Sequence, residues 1–378
     1  MTLRTAAVLR TAVLLCAALA APAAYAQVVL TTAVPFLQIE PDSRAAGMGM
    51  AGVALADNAA APFWNPAGLA QQTGIEASFT HAPWLPALGA DLSYEYLAGK
   101  YSFGDRGTLG AHLTYFNLGE QTWTDDQGNV IGNFRSFELS LGASYGYQLT
   151  QNLALGAGAR FIYSNLTGGQ GVGSTDTQAG RSFGLDVGAL YSLPEFNVGV
   201  PVRTRLGLNL ANMGPAIRYV ADETGIPNAI PTNLRLGTSM TADLDAFNRL
   251  TWAIDFNRLL VDRDSTGQFK PWTTALFSSW KPRLVDTTPD GVDNPESVGV
   301  LRQFTVGTGL EYWYNDLLAL RSGFFYEDPA NGNRKFVTFG AGIRYSLFGF
   351  DMSYIYSLEE RSPLEDQIRF SLLLNLPR

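Results

Sequence analysis

Three groups of residues have types and spacings that could do chemistry, and each lacks a partner that its chemistry needs. Gly47, Gly49 and Gly52 spell G-x-G-x-x-G, the pattern that lets a backbone cradle a pyrophosphate at a helix N-terminus. No apolar strand leads into them and no βαβ unit follows, so no nucleotide site is expected. Asp262, Asp264, Thr266 and Gly267 begin like a calcium loop, but Thr273 stands at the twelfth position, where a bidentate glutamate belongs. An acidic surface loop is the better reading, with Asp286, Asp290, Asp293 and Asn294 close by. The chain has 2 histidines, His81 and His112. His112 falls on the polar phase of its segment with Gly110 and Thr114 and has no nucleophile motif beside it, so it is expected to line an interior, not to act as a base. Zinc has no cysteine or histidine pair to hold it. Gly168, Gly169, Gly171 and Gly173 look like a phosphate cradle but are expected to form a flexible loop. The expectation is a protein that is not an enzyme and holds no cofactor or metal.

The elements that carry these residues begin with a leader. Met1 to Ala26 contains Arg4 and Arg10, an apolar run from Thr11 to Ala21, and the small-x-small pattern Ala24-Tyr25-Ala26, which together form a secretory signal peptide. Cys16 lies inside the apolar run, without the small residue expected before a lipidated cysteine. The exported chain should therefore have no cysteine and fold without disulfides. Its formal charge of −8 becomes about −10 once Arg4 and Arg10 leave with the leader, which disfavours nucleic acid. Charged residues make up only 16% of the chain and aromatic ones 12%. No apolar stretch reaches the roughly 20 residues of a spanning helix. A secreted β-sandwich and an outer-membrane β-barrel remain.

Periodicity separates the two. Phe137 to Leu149 alternates apolar with polar or small residues without a break, and so does Val337 to Leu347. Runs of ten or more fit membrane strands, whereas sandwich strands average about 5–6 residues. Fourteen strands are expected, near 74–82, 90–103, 107–118, 135–149, 152–164, 181–193, 202–212, 232–242, 249–260, 301–314, 317–327, 335–347, 350–358 and 366–376. The fold class is thus all-β: a 14-stranded antiparallel transmembrane β-barrel over 74–378, after a signal peptide at 1–26 and a plug segment at 27–73. Short connections at Gly104 to Arg106, Thr150-Gln151, Asn315-Asp316 and Phe348-Gly349 alternate with long ones at 119–134, 165–180, 213–231 and 261–300. Outer-membrane barrels keep short turns on the periplasmic side, so the long connections should lie outside, in the outer membrane of a Gram-negative bacterium.

Glu138, Arg160, Asp186, Arg235, Asp255, Arg344 and Arg369 all fall on polar phases and are expected in the lumen, because charge facing lipid is costly. Leu141 and Ile343 should face lipid, and Ser140 and Gly342 should accept large side chains into the lumen. Trp252, Tyr312, Trp313, Tyr314, Tyr354 and Tyr356 should form interfacial girdles. The chain ends Asn375-Leu376-Pro377-Arg378, without the terminal aromatic residue common in outer-membrane proteins.

The stretch Arg44 to Leu69, RAAGMGMAGVALADNAAAPFWNPAGLA, is rich in alanine and glycine and ends in Phe63-Trp64-Asn65-Pro66. Small residues allow close packing, and the plug is expected to rest on Arg44, Gly47, Gly49, Gly52, Trp64, Asn65 and Pro66. This stretch resembles the opening of the PorV/PorQ proteins of the type IX secretion system, relatives of the FadL-type outer-membrane barrels. Further matches lie at Val34 to Ile39 (VPFLQI), Leu92 to Lys100 (LSYEYLAGK), Tyr115 to Gly119 (YFNLG), Asn165 to Gly169 (NLTGG), Pro231 to Gly237 (PTNLRLG) and Ala253 to Leu260 (AIDFNRLL). The resemblance implies a non-enzymatic component that receives the carboxy-terminal domains of cargo from a large outer-membrane translocon. It would pass them to the cell-surface sortase and attachment-complex subunits. The FadL-type fold implies an alternative, a transporter of hydrophobic small molecules. Trp123, Ile131, Ile226, Ile230, Phe269 and Trp272 lie in the long connections and are the candidate partner contacts.

Overall fold

The computed structural model describes residues 32–86, 91–125, 127–168, 177–220, 225–286, 295–359 and 362–376. The expected leader, most of the glycine-rich 168–173 stretch, and Asp290, Asp293 and Asn294 lie outside them. Fourteen long strands among the described residues form one antiparallel sheet. In chain order they are β1 (Ile75–Pro83), β2 (Ser93–Ser102), β3 (Thr108–Thr124), β4 (Val130–Gln148), β5 (Leu153–Asn165), β6 (Gly180–Ser192) and β7 (Pro201–Met213). The second half comprises β8 (Asn233–Asp243), β9 (Asn248–Leu259), β10 (Thr305–Tyr314), β11 (Leu318–Tyr326), β12 (Lys335–Tyr345), β13 (Phe348–Ser357) and β14 (Ile368–Leu376). Each strand pairs with its neighbour in sequence, and β1 pairs with β14 from Ile75↔Leu376 to His81↔Phe370, so the sheet closes into a barrel. A two-residue strand at Phe196–Asn197 decorates the β6–β7 turn. No helix among the described residues is long and apolar enough to cross a membrane; the strands do the crossing.

The strand phases follow the alternation in the sequence. Leu141 is 56% exposed on the outside, while Ser140 beside it is fully covered. Ile343, Phe161 and Phe183 also point outward into what is lipid in the membrane. The inward phase is rich in glycine and hydroxyl residues because residues 32–74 fill the lumen. This plug is built from short pieces: a 3-10 turn at Pro35–Gln38, helix α1 (Ser43–Ala46), helix α2 (Ala61–Trp64) and a 3-10 turn at Pro66–Gln71. Asp42 caps α1 by accepting from the Ala45 N–H at 2.6 Å. Asn65 caps the last turn by accepting from the Ala67 N–H at 3.1 Å.

The structure corrects three expectations about connections and faces. Residues 119–134 do not form a long loop: β3 runs on to Thr124 and β4 starts at Val130, leaving a short connection that begins at Asp125. Asp125 closes it by accepting from the Gln127 and Asn129 N–H groups at 2.9 and 2.8 Å. The β-branched and aromatic run Thr122-Trp123-Thr124 favours continued pairing. The β12–β13 turn is Ser346-Leu347, not Phe348-Gly349, because Ser346 takes the left-handed conformation (φ 54°) and Phe348 already pairs with Tyr345. Trp313 is no girdle residue: it is buried, with the guanidiniums of Arg321 and Arg344 at 5.5 and 5.4 Å from its ring.

Candidate functional site

Turns crowd one end of the barrel and longer connections the other, here called the turn end and the loop end. Between them the plug is fixed to the wall by charge and by close packing. Arg44 projects from α1 and donates to Glu311 on β10 through Nε at 2.8 Å and Nη2 at 2.7 Å, and it also pairs with Asp57. Glu311 accepts in turn from Arg321 on β11 at 2.7 Å, and Arg321 donates to Asp351 on β13 at 2.7 Å. Arg344 closes the chain on Asp351 at 2.6 Å. Glu311, Arg321 and Asp351 are almost wholly buried, a setting where charges persist only when paired.

Elsewhere the wall satisfies the plug backbone. Asp255 on β9 accepts from the Gly52 and Val53 N–H groups at 2.6 and 2.9 Å. Thr338 accepts from Gly49 N–H at 2.9 Å, and Glu76 from Ala59 N–H at 2.8 Å. Arg235 donates to the Phe63 carbonyl at 2.7 Å, with its guanidinium 4.3 Å from the Phe63 ring centre. Trp64 is buried and donates to Asp42 at 2.9 Å. Burial pushes the Asp42 carboxyl above its ordinary range, against the hydrogen bonds from Ala45 and Trp64 that pull it down. Asn65 donates to the Ala189 carbonyl at 3.0 Å, and Pro66 packs where Gly156 and Gly188 leave room.

Glycine faces glycine at the tightest point. Gly49 has φ +65°, and a Cβ there would strike the backbone of Thr308 and Phe324; a Cβ on Gly323 would strike Gly49 itself. Gly47 lies against Gly340, and Gly52 leaves space for the Trp64 ring. The three spaced glycines therefore permit backbone contact with the wall, and their spacing reflects packing and not phosphate. The inner positions Ser140 and Gly342, expected to tolerate bulk, are filled: Ser140 is fully covered, and a Cβ on Gly342 would strike Asp351.

At the loop end a cavity of about 790 Å³ opens above the plug. Phe36, Ile39, Met50 and Trp64 of the plug form its floor, Phe116, Phe325 and Phe336 its walls, and residues 258–264 and 279–284 its upper side. Phe325 and Phe336 stack at 4.7 Å.

The expected partner contacts divide. Ile226 and Ile131 are exposed, and Trp123 is half-buried on the extended β3. Ile230 is buried and packs in the same cluster as Ile217 and Phe63, so it is not a surface contact. Phe269 is half-buried under the Arg263 guanidinium at 3.8 Å from its ring centre, and Trp272 opens helix α3 (Trp272–Ser278), half-buried. More exposed than either are Phe277 (81%), Leu284 (69%) and Leu301 (85%) of the same connection. No local pattern marked them, since a helix of two turns and a four-residue hairpin leave no readable period. Asp264 accepts from the Thr266 and Gln268 N–H groups at 2.8 and 3.1 Å, and Asp262 is held by Lys270 and Lys281, so these residues form a surface turn. His112 lines the lumen, stacked on Tyr96 at 5.8 Å.

Residues 22–266 match the family model of the type IX secretion system protein PorV. No curated protein matches the chain. Among solved structures, the P. putida toluene transporter TodX aligns with a TM-score of 0.52 at 14% identity, covering 90% of this chain and 99% of that one. The TodX deltaS2S3 mutant, a monoaromatic hydrocarbon channel, aligns with a TM-score of 0.50 at 14% identity, covering 89% and 98%. At such identities the likeness is one of fold. Closed sheet, filled lumen and strand phases define an outer-membrane β-barrel of the FadL-like type. Its place is the outer membrane of a Gram-negative bacterium, and the chain belongs to the PorV family of type IX secretion proteins.

Proposed function

We propose that this barrel is a non-enzymatic carrier in type IX secretion: it receives the carboxy-terminal domain of a cargo protein from the outer-membrane translocon and delivers it to the sortase and attachment complex at the cell surface. The match to the PorV family carries this reading. In it the loop end faces outward, and the 260–304 connection with Phe277, Leu284 and Leu301 is the docking surface. Large apolar side chains this exposed, on one connection whose Leu284 also lines the cavity, suit contact with a partner better than contact with water. Shortening 261–300 should leave the barrel at normal levels and heat-modifiable, yet leave cargo unprocessed in the periplasm or unattached at the surface. Normal cargo maturation in that strain would exclude this connection as the docking surface.

The cavity above the plug favours a second reading, passage of a hydrophobic small molecule, in the manner named for the toluene transporter of like fold. It ranks second because the plug below the cavity is bonded to the wall on several sides. A pull-down from detergent-solubilised outer membrane separates the two. Recovery of a very large translocon barrel with a sortase supports secretion, and recovery of a bound apolar molecule alone supports passage.

A further inference from the structure

The cavity over the plug has a charge pattern that neither reading uses. Most ionic side chains along its lining are matched: Lys281 with Asp262 at 2.9 Å, Arg334 with Glu327 at 2.6 Å, and Arg369 with Glu40 at 3.7 Å. Among the described residues Arg235, Arg258, Arg263 and Arg283 are in no ion pair, and of these Arg258 and Arg283 also keep N–H groups without an acceptor. Arg258, at the loop end of β9, is 98% buried by its neighbours, and among the described residues no carboxylate lies within ion-pair distance of it. Its Nη2 donates to the Ser279 carbonyl at 2.5 Å and to Gln303 at 2.9 Å, while Nε and Nη1 have no acceptor. Its guanidinium lies 4.4 Å from the Trp280 ring centre. Arg283, in the hairpin of the 260–304 connection, donates to Asn331 at 2.5 Å and leaves its Nε without an acceptor.

Both line the same cavity, and Gln303 joins them: it accepts from Arg258 at 2.9 Å and donates at 3.0 Å to the Lys281 carbonyl, two residues before Arg283. Rings and carbonyls satisfy some of the N–H groups but do not neutralise the charge. A buried cation and a half-buried one, neither in an ion pair, on a cavity that also presents Phe36, Ile39, Phe325, Phe336 and Ile355, suit a ligand with an acidic head and an apolar body. A carboxylate brings one negative charge. A phosphate monoester brings about 1.5 to 2 at neutral pH, with three acceptor oxygens that suit the planar fork of arginine. The volume, about 790 Å³, falls within the roughly 300–1,000 Å³ of small-molecule sites.

We propose that this cavity is a binding site for a phosphate-bearing amphiphile, with its phosphoryl group between Arg258 and Arg283 and its apolar part against Phe36, Phe325 and Phe336. The proposal concerns what occupies the barrel and rests on neither reading of its function.

The test uses the full barrel purified in a neutral maltoside detergent, titrated with decyl phosphate, decanoate, decanol and inorganic phosphate, followed by calorimetry and tryptophan fluorescence. Trp280, stacked on Arg258, is the reporter. Decyl phosphate should bind about tenfold or more tighter than decanoate or decanol, as charge-assisted hydrogen bonds to a second anionic charge require. The double variant Arg258→Gln with Arg283→Gln should lose that preference while still binding decanol and staying heat-modifiable. Equal affinity for the three amphiphiles would overturn the head-group assignment. Inorganic phosphate binding as tightly as decyl phosphate would overturn the apolar half and leave a site for free phosphate. Arg258 is deeply buried, so Arg283→Gln alone provides a milder variant: an unchanged phosphate preference in that folded protein would also overturn the proposal.

Discussion

Residues 32–74 and residues 260–304 are the two longest stretches outside the barrel wall after residue 31, and they treat their polar and apolar groups in opposite ways. The plug hides nearly every apolar side chain and draws its hydrogen-bond partners from β1, β6, β8, β9, β10, β12 and β14. The 260–304 connection finds most partners within itself or in the adjoining loop: Lys270, Ser278 and Lys281 all converge on Asp262, and Arg302 reaches Asp328 at 2.8 Å. It leaves Phe277 and Leu301 in the open. Irregular chain can therefore be part of the core or a tethered surface, and what decides is whether its backbone groups are satisfied by the sheet or by itself.

The sharpest way to break that contrast is Glu311→Ala, which removes the buried carboxylate that Arg44 and Arg321 share and leaves one positive charge of the network unbalanced, with only Asp57 and Asp351 as their remaining partners. Loss of one partner in such a pair costs about 3–5 kcal/mol, and the plug should loosen. In a variant whose only tryptophan is Trp64, a water-soluble quencher should then reach a ring that it cannot reach in the parent. Next in size is Leu141→Arg on the lipid face, at about 2–4 kcal/mol near mid-depth, read as lost heat-modifiability on a gel. The plug should be intact in whatever fraction assembles.

A smaller effect belongs to the loop end. Burial raises the Asp262 carboxyl, but the hydrogen bonds from Lys270, Ser278 and Lys281 outweigh it and hold the group down at about 2. Its folded value lies below the unfolded one, so its contribution is complete above about pH 4 and is lost as pH falls toward 2. Amide exchange in 262–281 should quicken over that interval while exchange in the plug does not follow it. The smallest structural effect is expected from Phe277→Ser with Leu301→Ser, within about 0.5 kcal/mol because neither side chain is packed. Surface attachment of cargo should nevertheless drop, and unchanged attachment would separate exposure from docking.

Much of this architecture was legible in the chain. Alternation found all fourteen strands, though β3 and β4 run on past the expected ends at 118 and 135 to Thr124 and Val130, and the polar phase put Arg235, Asp255 and Arg369 in the lumen, because a period of two is a local property. The seats of the plug were not legible. Gly49 meets Gly323, and Arg44 meets Glu311, across hundreds of residues, and a glycine on a polar phase looks alike whether it faces water or another backbone. For the same reason Ser140 and Gly342 seemed free to accept bulk when the plug already occupies their space. Phe277 and Leu301 escaped notice because exposure in a long connection depends on how that connection folds back, which its composition does not encode.

One feature reaches beyond the finished structure. Ser371 on the last strand bonds Ser43 of the plug at 2.9 Å and Thr80 of the first strand at 2.7 Å, three hydroxyls gathered where the sheet closes. The closing pairs join Ile75 to Leu376, a separation close to the full length of the barrel, and loop-closure entropy makes such contacts late to form. One side chain of the closing strand thus touches both the first strand and the plug. A plug still out of place deprives the seam of that contact when the two ends search for register, and premature zippering without a filled interior is disfavoured.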